Sequence, residues 1–170
     1  MKYTSAEANK LLKGIEARID DLKNKEKKSR SFHAASTEDP ETLRPEYGFE
    51  ETQKQIAALE KQVRMVKHAI NTFNVTHAVP DFDDLTIDQA LVYLPQLSNR
   101  VSKLKSMAAA LPRERVVSYG SNIIDYEIAN YDIAEAERAY HSEQEKLRNL
   151  QIALDRANSG ETMEIGIILT

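Results

Sequence analysis

The chain has 170 residues, 41% of them hydrophobic and 29% charged, a composition of globular rather than disordered proteins. A net charge of −4 argues against a polyanionic partner, and the absence of cysteine removes disulfides, thiolate metal sites and thiol nucleophiles together. No apolar run approaches the ~18 residues of a spanning helix, and the opening "MKYTSAEANKLLKGIEAR" lacks the apolar core of a secretory signal. These bounds predict one domain over residues 1–170, cytoplasmic, with neither a nucleic-acid nor a membrane partner.

The first helix is expected over about 4–28. Thr4 can cap it while Glu7 reaches back, a Thr-x-x-Glu capping box. Its apolar stripe is Ala8, Leu11, Ile15, Ile19 and Leu22, with Gly14 inside it. The basic run "KNKEKKSR" falls where cations complement the carbonyl end of a helix. Residues 29–48 form a long connection, holding "SFHAAS", a weak strand candidate, and the turn-rich "TEDPETLRPEYGF".

The second helix, about 50–73, carries Ile56, Leu59, Val63, Val66, Ile70 and Phe73 at the alternating three-and-four spacing of a coiled-coil seam, with Asn74 as its stop. The acidic "HAVPDFDDLT" reads as a turn ahead of the next cap. His77, Asp81, Asp83 and Asp84 give it the alternative of a hard-cation loop. The third helix, about 86–109, opens on Thr86 with Gln89 as its box partner and shows Ile87, Leu91, Leu94, Val101 and Leu104. Pro95 predicts a kink or break near Leu91 to Leu94.

In "NIIDYEIANYD", Ile124, Tyr126 and Ile128 alternate with Asp125, Glu127 and Ala129, the period of a strand with one dry face. Strands are expected at about 116–129 and 162–169, with "VVSY" and "MEIGIIL" as the candidate partners. Asp132, with Glu135 three residues on, caps a fourth helix over about 133–158 bearing Ile133, Ala136, Tyr140, Leu147, Leu150, Leu154 and Ala157. Its middle, "HSEQE", has no apolar residue where the seam needs one, and Asn158-Ser159-Gly160 reads as a left-handed stop. The fold class is therefore α+β, mainly α: four long helices in antiparallel hairpins plus a small two- or three-stranded β-sheet.

Chemical motifs are sparse. The five glycines make neither a GxGxxG nor a P-loop, no serine occupies a G-x-S-x-G elbow, and His33, His68, His77 and His141 lack zinc-helix or Glu-x-x-His spacing. No catalytic residue, metal ligand or cofactor is expected. The residue types best suited to a ligand are Arg44, Tyr47, Arg113 and Arg115, as polar anchors for an anionic group, with Tyr126, Asn130, Tyr131 and Asp132 beside them. Tyrosines on a short strand can equally pack against helices with their hydroxyls at the surface; Tyr119 shares that ambiguity.

The order of "EDPETLRPEY", "HAINTFN", "TIDQALVYLPQLSNRVSKLKSM", "NYD" and "LQIALDRAN" resembles an uncharacterised bacterial family sometimes labelled septicolysin-like, with members among integron gene-cassette proteins. The resemblance spans nearly the whole chain. It implies a mainly helical fold with a small β element and no assigned catalytic residues. Regular helix seams with a short sheet lacking partners favour self-association as a dimer or higher assembly. The expected role is a non-enzymatic oligomeric interaction or scaffold protein of bacterial mobile-element type that docks another protein; the alternative is a small-ligand accessory module with its pocket near 122–132 and 29–48.

Overall fold

A computed structural model describes residues 1–116 and 124–166, without the side chains of residues 83 and 84. Tyr119, the strand residues expected at 117–123 and 167–169, and the carboxylates of Asp83 and Asp84 lie outside the described residues. In chain order the elements are β1 (Lys2–Thr4), α1 (Ser5–Ser29), α2 (Pro40–Leu43), α3 (Phe49–Thr76), β2 (Ala78–Val79) and β3 (Phe82–Thr86). They continue with α4 (Ile87–Ala108), β4 (Arg113–Val116), β5 (Asp125–Ile128), α5 (Ile133–Gly160) and β6 (Thr162–Glu164). The class is mainly α with small antiparallel sheets, and the four long helices lie within three residues of the ranges expected. The chain divides into two compact units, Met1–Asn74 with Asn158–Thr170, and Val75–Ala157.

In the first unit α1 and α3 form an antiparallel hairpin. The Thr4 capping box is present in both directions and starts α1. Along α1 the buried or half-buried positions Ser5, Ala8, Leu12, Ile15, Ile19, Leu22 and Glu26 keep three-and-four spacing. They meet Ile56, Leu59, Val63, Val66, Ile70 and Phe73 of α3, and Glu16–Lys67 (2.9 Å) and Lys23–Glu60 (3.8 Å) flank that seam. Asn74 does not stop α3, which runs on to Thr76. Between the two helices, Pro40 opens α2 under an Asp39 cap, and no strand forms at "SFHAAS".

The strands pair differently from the expectation. β6 joins β1 (Lys2↔Glu164, Tyr3↔Met163, Thr4↔Thr162), not the tyrosine strand, and Ile165 beyond it is buried. A partner this distant in sequence leaves no local trace. The strand at 125–128 instead pairs with the segment before it, Arg113–Val116, so among the described residues no single sheet joins the expected strands at 116–129 and 162–169. Helix α5 continues through Gly160, which lacks the left-handed φ of a stop.

In the second unit β2 and β3 make a tight hairpin where a plain turn was expected. Pro80 and Asp81 (φ 65°) supply the fixed φ and the positive φ that a type II turn requires. The Thr86–Gln89 capping box then starts α4. Helix α4 is unbroken through Pro95. Pro95 and Leu91 lie on the exposed face, so the Leu91 carbonyl that loses its donor is open to water. The buried line is Ile87, Ala90 and Leu97, continued by half-buried Leu94, Val101 and Leu104; Leu91, expected in that line, is 47% exposed. α4 runs antiparallel to α5, as Arg100 reaching Glu143 (3.1 Å) and Lys146 over the Tyr93 ring (5.6 Å) show. No helix among the described residues is long and apolar enough to cross a membrane.

Candidate functional site

The expected site residues fall into the two units. Arg44 and Tyr47 belong to the first, and Arg113, Arg115, Tyr126, Asn130, Tyr131 and Asp132 to the second.

Arg44 ends the short helix α2 and is held by Glu41, with Nη2 and Nε donating to the carboxylate at 2.6 and 3.0 Å. Its guanidinium also lies 5.6 Å from the centre of the Phe32 ring. The hydrogen bonds from Arg44 keep the Glu41 carboxyl below the usual carboxylate range. Tyr47 donates to Glu26 Oε1 at 2.6 Å, where Gln53 Nε2 also donates at 2.7 Å. That bond, and then burial, holds the Tyr47 hydroxyl above the usual phenol range. Tyr47 thus fastens the 29–48 connection to the end of the α1–α3 hairpin, while Arg44 braces the connection internally through Glu41 and Phe32.

In the second unit two more candidates serve the fold. The Tyr131 hydroxyl donates to the Met107 carbonyl at 3.0 Å, tying the entry of α5 to the last turn of α4. Asp132 Oδ1 accepts from the Ala134 and Glu135 backbone N–H groups at 2.8 and 3.3 Å, the N-cap its position predicts. Asn130 is exposed.

What stays on offer is the β4–β5 ribbon. Its register is Arg113↔Ile128, Glu114↔Glu127, Arg115↔Tyr126 and Val116↔Asp125, extended by the Ala129 N–H donating to Pro112 O at 3.2 Å. Directly opposed residues share a face. Arg113, Arg115, Tyr126 and Ile128 therefore line one side, and Glu114, Val116, Asp125 and Glu127 the other. The Arg113 guanidinium stacks 3.4 Å from the Tyr126 ring centre, as diagonal neighbours on one face can. All eight residues are exposed, Ile128 by 67%. A free-standing two-stranded ribbon is marginal in water, yet this one carries large apolar side chains into solvent.

Sequence reasoning found the tyrosine strand but not the sorting of its charges by face. That sorting depends on which residue of 113–116 stands opposite which of 125–128. Among the described residues no group of three or more His, Asp or Glu side chains converges as a metal site. Open grooves elsewhere include that of Glu16, Ile19, Lys23, Glu60 and Val63 beside the α1–α3 seam, and one between Asp81 and Phe82 of the β2–β3 hairpin and Asn149, Ile152 and Arg156 of α5.

No family model and no curated protein matches the chain. A crystal structure of a functionally unknown conserved protein from Corynebacterium diphtheriae is similar over 96% of this chain and 100% of its own, with a TM-score of 0.59 at 16% identity. At that identity the likeness shows the fold alone.

Proposed function

We propose that the protein is a non-enzymatic, self-associating interaction protein of the cytoplasm, built to present docking surfaces rather than to transform a substrate. The observation that carries this reading is the exposed β4–β5 ribbon. Val116, Tyr126 and Ile128 stand in solvent there beside arginines, and aromatic, aliphatic and Arg side chains together are the composition of interface centres. Leu43 and Phe49, exposed at the connection between α1 and α3, offer a second apolar patch. The coiled-coil hairpins suit such a role, since flanking ion pairs let a two-helix unit stand in water with a narrow seam. The septicolysin-like, gene-cassette resemblance belongs to the same proposal, a docking role needing no assigned catalytic residue.

Sedimentation velocity across a range of protein concentrations tests it. Species heavier than the 19.3 kDa chain, growing with concentration, are expected. A lone 19.3 kDa species at every concentration up to about 0.5 mM, near the weak end of specific affinities, would overturn self-association.

A further inference from the structure

The two faces of the ribbon carry opposite charge. One face holds Arg113 and Arg115 beside Tyr126 and Ile128; the other holds Glu114 directly opposite Glu127, with Val116 and Asp125. Like charges opposed across strands destabilise a pair, so Glu114↔Glu127 costs the isolated ribbon stability that a cation laid over it would return. Among the described residues no ion pair engages Arg115, Glu114 or Glu127. Each face therefore lacks what the other has.

The same pattern rules out the symmetric ways of joining two ribbons. Edge pairing of two β4 strands about a two-fold, in registers centred on Glu114 or Arg115, sets arginine opposite arginine. Pairing of two β5 strands, in registers centred on Tyr126 or Glu127, sets acid opposite acid. Stacking like face on like face collects arginines on arginines or glutamates on glutamates. Only unlike faces attract.

Resting on the self-association reading, we propose that the occupant of the cationic ribbon face is a second copy of this chain. Arg113 and Arg115 of one copy lie over Glu114 and Glu127 of the next, while Tyr126 and Ile128 cover its Val116. The contact is head-to-tail and leaves one face open at each end, so assembly proceeds by addition into a ring or an open series rather than stopping at a two-fold dimer. A ribbon face of four side chains is small beside the ~1,200 Å² of a stable interface, so association is reversible. Being made of exposed charges, it weakens as salt rises.

Charge reversal with complementation tests this in the full chain. Arg113→Glu/Arg115→Glu makes both faces acidic, and Glu114→Arg/Glu127→Arg makes both cationic. Each variant alone is expected to lose association by about tenfold or more, and an equimolar mixture to regain it. Lys13→Glu, on the exposed side of α1, serves as the control and leaves association unchanged. Circular dichroism confirms that each variant keeps its helices. If the wild type associates and both ribbon variants associate equally well, the ribbon is not the contact and self-association stands on another face. If the wild type forms only a salt-insensitive dimer, the head-to-tail arrangement fails while self-association holds. A wild type that stays monomeric removes both.

Discussion

Glu26 and Glu143 occupy seam positions that are ordinarily apolar, and each is held by donors from the facing side of its hairpin. Glu26 takes Tyr47 and Gln53; Glu143, with 22% of its side chain exposed, takes Arg100. The polar gap at "HSEQE" is therefore a paired position and not an interruption. Arg100→Ala is expected to cost about 0.5–1 kcal/mol in urea unfolding, because the pair is partly solvated. Glu143→Leu should be neutral or stabilising in the same assay, since an apolar side chain suits a seam better than a half-solvated ion pair. A second residue-scale expectation concerns Glu7, whose carboxyl is held below the usual range by the Thr4 backbone N–H and then by the Thr4 side chain. A carboxylate with a depressed folded-state pKa stabilises above its unfolded value, about 4.3, and that contribution is lost as pH falls through the lower folded value. Glu7→Gln keeps a box partner, as Gln89 does for Thr86, and cannot titrate. Its melting temperature should therefore fall less than that of the wild type between about pH 5 and pH 3.

At the scale of elements, periodicity located every long helix, and the seam of α4 shows its limit. Hydrophobicity favours Leu91, but three-and-four spacing through Ile87, Leu94, Leu97, Val101 and Leu104 selects Ala90. Ala90 is fully buried, where a small residue lets backbones approach. Pro95 survives inside α4 because it sits on the solvent side, yet it still forfeits a hydrogen bond. Pro95→Ala should accordingly raise stability by about 1–3 kcal/mol by urea titration. In α1 a Cβ added at exposed Gly14 meets nothing within 4 Å. Gly14→Ala is then expected to stabilise by about 1 kcal/mol, read the same way. No gain there would mean that the α1 backbone at Gly14 departs from ordinary helix.

For the molecule as a whole, two kinds of long-range pairing matter. The first ties the N-terminal strand to residues 162–165, where the Ile165 N–H donates to Met1 O at 3.0 Å and the Ile165 side chain is buried. Ile165→Ala should cost about 2–4 kcal/mol and raise hydrogen exchange in β1, although β1 itself is unaltered. A change confined to residues 160–166 would deny that coupling. The second is the pairing between copies proposed above, in which the exposed faces of the local β4–β5 hairpin would be the contact surface.

The four helices and their starts were legible in the sequence because their causes are local. Capping boxes at Thr4 and Thr86 and the cap at Asp132 act over three residues, and a seam repeats every seven. Tertiary structure alone decided the rest. Register at β4–β5 put two arginines on one face and three acids on the other, and a partner some 160 residues away claimed β6. It also spent two of the eight candidate site residues on distant partners, Tyr47 on Glu26 and Tyr131 on Met107, while local bonds took Arg44 to Glu41 and Asp132 to its helix cap. Residue type announces what a side chain can bond; only the folded chain determines which partner reaches it first.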